Sequence, residues 1–578
     1  MKKTILITAC LILGASYVSA QSWLWGKMGK DNYFLEAIGA ASDVVGDAYL
    51  TGWFKDTITF GSNKLTTLGH DFYLVKYDSL GNIKWISRSR LASNHSSAGD
   101  YTDVPIVATD NFGNEYVTGG FVDTVYFGTD TLKKKTYYED VYLVKYNKNG
   151  NVIWARQSTC SYLYSTAQGS SVATDNSGNI YITGYFDDTI SFGSNTLVTR
   201  NINLHGVFLV KYDSNGNVSW AKQGHCPSLI SGALSSGVTT DKNGNSYITG
   251  YFEDTVSFGA YNLRAAKEQY SQAAFLVKFD ANGNVLWAKQ SKTISDTSHV
   301  EGFSVITDKV GGVYITGFFS DTIVFGKDTL KNSTQKRQNY GEIFLVKYDT
   351  NGNEIWAKQS YDTITVYSYG WSGWSLAADS LNRIYLSCGS LAPGTGKMIF
   401  LKDTFLLTSA DYEPSLVMQL DTAGNTICNS MIVAGGDDQN TVAVSPSGKY
   451  IYLGGDIKTT AVFGSDTLSQ FKGNESPFIA RWQPCGNNIL TDVNNLQSKN
   501  ISISVYPNPF TFTTNIVFNS IGEHYLELDD IAGRKIETIE CSGAQYELHR
   551  NNFASGIYFI RVSDSDDGTF FVKKLILQ

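Results

Sequence analysis

Asn179-Ile-Tyr-Ile-Thr-Gly-Tyr-Phe-Asp-Asp-Thr189 returns 66 residues later as Asn245-Ser-Tyr-Ile-Thr-Gly-Tyr-Phe-Glu-Asp-Thr255. The phrase recurs from Asn114 and from Val313, and more loosely from Asp47. A second phrase follows each copy, as in Phe208-Leu-Val-Lys-Tyr-Asp-Ser-Asn-Gly-Asn-Val-Ser-Trp-Ala-Lys-Gln223. Self-similarity at a fixed period means that one supersecondary unit is stacked many times. A repeated unit is a scaffold, so whatever the chain binds is expected where the copies differ.

Each unit reads as four strands. In the third copy these are 171–175, 179–186, 207–213 and 218–223. Asp-x-x-Gly-Asn turns at 175–179 and 213–217 join the first strand to the second and the third to the fourth. Asp there accepts backbone hydrogen bonds, and Gly takes the positive φ of a tight hairpin. Ile190-Ser-Phe-Gly-Ser-Asn-Thr-Leu197, between strands two and three, reads as a small extra hairpin.

Four-stranded antiparallel units repeated radially predict a β-propeller. First strands such as Val172-Ala-Thr174 and Val238-Thr-Thr240 carry small residues suited to the crowded axis. Trp85, Trp154, Trp220, Trp287 and Trp356 hold one site in five fourth strands, and Cys428 replaces that Trp in the sixth. Thr51, Thr118, Thr183, Thr249, Thr316, Ser387 and Gly454 fall at one position of the second strand, which gives seven units. Phe478-Ile-Ala-Arg-Trp482 of the seventh is followed by no Trp-Ala-Lys phrase, yet Trp23-Leu-Trp-Gly-Lys27 stands spare at the other end. The N-terminal strand is therefore expected to complete the last blade, because an open ring would leave exposed strand edges.

The chain has 578 residues, with 54 Gly, 35 Tyr, 31 Phe and only 9 Pro, a balance that suits an all-β protein. The formal charge of −8 forms no basic stripe, which argues against a nucleic-acid partner. Lys2 and Lys3, the apolar run Thr4–Val18 and Ser19-Ala20 read as an export signal over 1–20. No later apolar segment is long enough for a transmembrane helix. Six cysteines remain once the segment bearing Cys10 is removed. Cys160 and Cys226 follow the Trp-Ala-(Arg/Lys)-Gln phrase at the same spacing in successive units, so they are expected near one another, in places that admit a disulfide or two free thiols.

The Gly-Asn-x-Tyr-x-Thr-Gly and Leu-Val-Lys-Tyr-Asp phrases resemble the SBBP type of bacterial β-propeller repeat over 21–486. That resemblance implies fold and leaves activity open. An Asn-rich linker is expected over 487–503. Beyond it, short alternating strands within 504–578 predict a small Ig-like β-sandwich. This segment resembles the type A C-terminal sorting domain of the Bacteroidota type IX secretion system. The resemblance is carried by Tyr506-Pro507-Asn508-Pro509, Asp530-Ile-Ala-Gly533-Arg534, Ser555-Gly556-Ile-Tyr558-Phe-Ile-Arg561 and Lys573-Lys574-Leu-Ile-Leu-Gln578. It implies export to the periplasm, recognition by the type IX translocon and its sortase, and delivery to the cell surface or medium. A proteolytic cut is expected in the linker.

For chemistry, the sequence offers no His-Glu-x-x-His, Cys-x-x-Cys or Gly-x-Ser-x-Gly arrangement. The Asp-Thr pairs at 56–57, 123–124, 188–189, 254–255 and 321–322 read as a turn each blade needs rather than as a ring of catalytic carboxylates. No catalytic residue, metal site or cofactor is assigned. Loops from strand four to the next strand one vary, as binding loops do. The richest carries Tyr361, Tyr367, Tyr369, Trp371 and Trp374, a candidate stacking surface for a sugar. The competing expectation is that Trp371 and Trp374 pack between blades five and six. A non-enzymatic surface scaffold binding a glycan or protein is thus the preferred reading. The alternative is a hydrolase or lyase acting on polysaccharide in the funnel.

Overall fold

The computed structural model describes residues 22–577 apart from 32–34, 92–104, 135–137, 163, 200–204, 228–230, 266–270, 295–297, 333–340, 363–370, 391–395, 408–412, 436–439, 471–474, 485–502, 531–534, 551–552 and 564–569. The expected signal segment, nearly all of the linker, Tyr367, Tyr369, Gly533 and Arg534 lie outside the described residues. Two compact units divide the chain, Met1–Asn487 and Asn488–Gln578. Every regular element described is a strand.

In blade three the strands are Ala167–Thr174, Ile180–Phe186, Gly206–Tyr212 and Val218–Gly224, hydrogen-bonded in that order from inside to outside. Seven such four-stranded units occur, and each inner strand packs against the next. The inner strand of the seventh, Thr441–Val444, packs against that of the first, Leu35–Ser42, which closes the ring.

The repeated residues have repeated tasks. Asp175 Oδ1 accepts from the backbone N–H groups of Ser177 and Asn179, and its Oδ2 accepts from Asn179 Nδ2 and the Tyr181 hydroxyl. Gly178 sits at φ +77° in that turn. Thr174, Thr240 and Thr307 each donate to a carbonyl on the preceding inner strand, at 2.8–2.9 Å, tying neighbouring blades along the axis. Asp56, Asp123, Asp188 and Asp254 adopt φ between +56° and +66°, a conformation that short polar side chains tolerate, so these residues serve turns.

The outer-strand tryptophans are clasps. The indole N–H groups of Trp154, Trp220 and Trp287 donate to the carbonyls of Ser214, Ala281 and Thr350, each in the outer turn of the following blade. Gly216, Gly283 and Gly352 of those turns lie so close to the same indoles that an added Cβ would crowd the ring. The apolar cores accordingly straddle blades: Tyr116, Val141 and Leu143 of blade two pack with Ile182, Phe186 and Phe192 of blade three.

Blade seven takes its outer strand, Ser22–Asp31, from the other end of the chain. It pairs with Ser476–Gln483 in the register Trp23↔Trp482, Lys27↔Ile479 and Met28↔Phe478. Trp25 then does what the other tryptophans do, donating to the Ser79 carbonyl in the outer turn of blade one, with Gly81 against its ring. Blade six carries Cys428 in the tryptophan register. A Trp there would have no turn to grip, because the outer strand of blade seven is not joined to its third strand. Cys428 is disulfide-bonded.

Cys160 and Cys226 do occupy equivalent places, each beside the small extra hairpin of its neighbouring blade. They are nevertheless free thiols, buried in separate cores, so the disulfide that their spacing admitted is absent. Burial raises both thiols, that of Cys226 to about 12.

In the second unit, strands Ile503–Tyr506, Thr513–Asp530, Lys535–His549, Gly556–Ser563 and Phe570–Leu577 surround a core that includes Ile516, Phe518, Leu526, Leu528, Ile560 and Leu575. The first and last of the quoted sorting motifs meet. Asn508 Nδ2 donates to the Lys574 carbonyl at 2.7 Å, and the Ile576 N–H donates to Asn508 Oδ1 at 2.8 Å. Tyr506 and Lys574 are exposed, whereas Tyr558 is half-buried and donates to the Ala554 carbonyl.

Candidate functional site in the axial funnel

The inner strands are not regular. Pairing skips one residue between Ala37 and Gly39, Gly169 and Ser171, Ser235 and Gly237, Gly302 and Ser304, and Gly373 and Ser375. A β-bulge leaves its extra residue unpaired and re-aims its side chain. Here the extra residues are Ile38, Ser170, Ser236, Phe303 and Trp374, and all five line one cavity of about 350 Å³. Ile106 of blade two and Asn440 beside blade seven complete its circuit, so the cavity lies on the axis. In blades three to five the second-strand glycine opposite the bulge is forced by sterics: a Cβ on Gly184, Gly250 or Gly317 would run into the carbonyl of Gln168, Leu234 or Glu301.

The cavity wall is lopsided. On blades five and six, Phe303 lies between Phe318 and Trp374, with ring centroids 5.7 and 4.9 Å away and near-parallel planes. On blades three and four, Tyr185 and Tyr251 stand at equivalent positions of the second strand. Gln168 and Glu301, also equivalent, supply polar groups from the inner strands. Burial, followed by repulsion from Glu253, pushes the Glu301 carboxyl up to about 7. Burial and the same two carboxylates raise the Tyr251 hydroxyl further above its ordinary range.

Behind this wall the polar groups are ordered. Glu253 accepts from Gln272 Nε2 at 3.0 Å, and His299 Nδ1 lies 3.3 Å from Gln272 Oε1. His205 Nδ1 lies 2.6 Å from Asp187 Oδ1, its ring against that of Tyr185 at 4.5 Å between centroids. Unlike polar residues therefore do break the repeat on one side of the funnel, at blades three to five. The sequence reading found no such cluster. The available signal was variation at one inner-strand position, Gln168, Leu234 and Glu301, among otherwise matched phrases.

The loop proposed from sequence is split by the structure. Trp371 is 1% exposed and packs with Tyr314, Ile343 and Leu345 of blade five, as the packing expectation held. Trp374, three residues on, occupies the bulge and faces the cavity. Tyr361 is 47% exposed at the end of the outer strand of blade five, where it pairs with Ile399. It is absent from the cavity lining. Among the described residues no cluster of three or more His, Cys, Asp or Glu side chains is placed to hold a metal ion.

Comparisons with known proteins agree with the two-part architecture. Residues 504–578 match the secretion system C-terminal sorting domain, and residues 153–185 match the SBBP β-propeller repeat. An uncharacterized WD repeat-containing protein of Acanthamoeba polyphaga mimivirus is 24% identical over 275 residues, which are 40% of this chain and 19% of that protein. The chain thus spans under a fifth of that relative's length. A protein of unknown function from Dyadobacter fermentans aligns over 81% of this chain and 100% of its own, at 11% identity and a TM-score of 0.36. PorZ, a surface component of the type IX secretion system of Porphyromonas gingivalis, aligns over 94% and 81%, at 9% identity and a TM-score of 0.22. A polysaccharide lyase, an ulvan lyase, aligns over 77% and 97%, at 9% identity and a TM-score of 0.36. The chain is a secreted or cell-surface β-propeller protein with SBBP-type repeats and, at 504–578, a type IX secretion C-terminal sorting domain.

Proposed function

We propose that the propeller is a non-catalytic, glycan-binding scaffold that reaches the periplasm by its N-terminal signal and the surface through the type IX translocon. The observation that carries the binding reading is the Trp374–Phe303–Phe318 stack lining an axial cavity that also presents Gln168, Tyr185, Tyr251 and Glu301. Aromatic faces beside directed polar groups suit a sugar, whose C–H faces are apolar and whose hydroxyls need partners. A protein ligand would need a broader surface than a cavity of about 350 Å³ offers.

The second reading is a hydrolase or lyase acting in the same funnel. What favours it is Glu301, raised to about 7, in a cavity shared with Tyr251. Groups poised near neutrality are suited to proton transfer. A glycan array and a polysaccharide-degradation screen, run on the same exported protein, separate the readings. Binding without product, lost about tenfold or more in Phe303→Ala and Trp374→Ala, supports the scaffold. Turnover abolished by Glu301→Gln supports the enzyme. For delivery, a chain lacking 501–578 is expected to stay in the periplasm as a folded ring. A truncated chain still found at the surface would overturn that assignment.

A further inference from the structure

Glu301 is the only charged side chain lining the cavity, and no lysine, arginine or histidine joins it among the described residues. Its carboxylate accepts no hydrogen bond and forms no ion pair among the described residues, whereas nearby Glu253 is hydrogen-bonded to Gln272. Its neighbours worsen its position. Glu253 adds negative charge, and the two histidines near the wall are engaged elsewhere, His205 with Asp187 and His299 with Gln272. A half-buried carboxylate without a partner is costly unless something cationic or hydrogen-donating arrives to meet it. Tyr251, close enough to feel the Glu301 charge, and Trp374, stacked on Phe303, line the same cavity with rings whose faces carry negative potential and attract cations. Raised to about 7 by burial, the Glu301 carboxyl is drawn into its charged form by a cation, so carboxylate and rings favour the same kind of ligand group.

We infer that the funnel is selective for glycans bearing a free, protonated amine, the ammonium of an amino sugar sitting between Glu301 and the aromatic wall. This rests on the glycan-binding reading and adds the charge of the sugar to it. Uronic acids and sulfated sugars would meet Glu301 and Glu253 as like charges, and an N-acetylated sugar would bring no cation.

The test is calorimetric titration of the full chain at neutral pH with three oligosaccharides of equal length. One is built of glucosamine, one of N-acetylglucosamine and one of glucuronic acid. The free-amine oligomer is expected to bind at least about tenfold more tightly than the acetylated one, and the uronate not at all. Glu301→Gln should level the first two, while Trp374→Ala weakens both. Thermal melting of each variant reports whether the ring is intact. Acetylated or uronate oligomers binding as well as the free amine would overturn the charge assignment and leave glycan binding standing. Binding of none of the three, together with an empty glycan array, would overturn the glycan reading itself. An intact Glu301→Gln protein that kept the full preference would also defeat the proposal.

Discussion

Blade three and blade seven contain the same four strands in the same order, yet one is a continuous stretch of about 60 residues and the other joins segments more than 400 apart. In blade three the turn at Asp213 fixes the outer strand beside the third before any other blade is considered. In blade seven nothing local does so. The register rests on side chains: Trp23 against Trp482 and Phe463, Trp25 across to the turn of blade one, and Lys27 on Asp466 at 2.8 Å. A propeller can therefore dispense with a turn where the neighbouring clasps are kept. It compensates where a clasp is lost, as at Cys428.

The hardest blow to that equivalence is removal of residues 21–28. It should destabilise the whole ring by roughly 5 kcal/mol or more, since it takes away buried tryptophan surface and uncovers the edge of Ser476–Gln483. Chemical denaturation would show it. A loss of only about 1 kcal/mol would mean that blade seven is dispensable. Next come matched truncations. Trp25→Ala and Trp154→Ala should each cost about 3–5 kcal/mol, because both indoles are buried and clasp a following turn. A much smaller cost at Trp25 would show the borrowed strand to be the looser one.

The disulfide at Cys428 gives a smaller effect. Reductant should lower stability by about 2–4 kcal/mol in the natural chain and not in Cys428→Ser. Non-reducing peptide mapping is expected to find the Cys428 peptide cross-linked and Cys160, Cys226 and Cys388 as thiols. The smallest effect is electrostatic. The Lys27 ammonium, then the Gly26 N–H, holds the Asp466 carboxyl below its usual range. A depressed folded pKa stabilises above the unfolded value of about 4 and loses that benefit as pH falls through the folded one. Asp466→Asn should thus cost no more than about 1 kcal/mol at pH 7, the pair being partly exposed, and less and less as pH falls through the folded value.

The scaffold was legible because its determinants are local and repeated. Asp175, Gly178, Thr183 and Trp220 each make one contact that recurs blade after blade, and the spare Trp23–Lys27 phrase announced the closing strand. The funnel was not legible. The inner strand of blade three was expected to begin at Ser171, whereas it begins at Ala167 and bulges at Ser170. Two of the four residues missed, Gln168 and Ser170, line the cavity. Strict alternation cannot foresee a bulge, since one unpaired residue reverses the facing of everything before it. Trp371 and Trp374, read together as one surface, part company in the structure because positions three apart on one strand face opposite ways.

The pairing of Trp23 with Trp482 also separates the order in which the chain is made from the order in which it can be completed. Gly29–Asp31 can pair early with Ile58–Phe60 of blade one, but Ser22–Met28 must wait, edge exposed, until some 450 residues have followed. Contacts so distant in sequence are slow to form and leave their strands open to wrong neighbours meanwhile. If the chain crosses a membrane N-terminus first, as proposed above, a finished ring is out of reach until the final blade has come through.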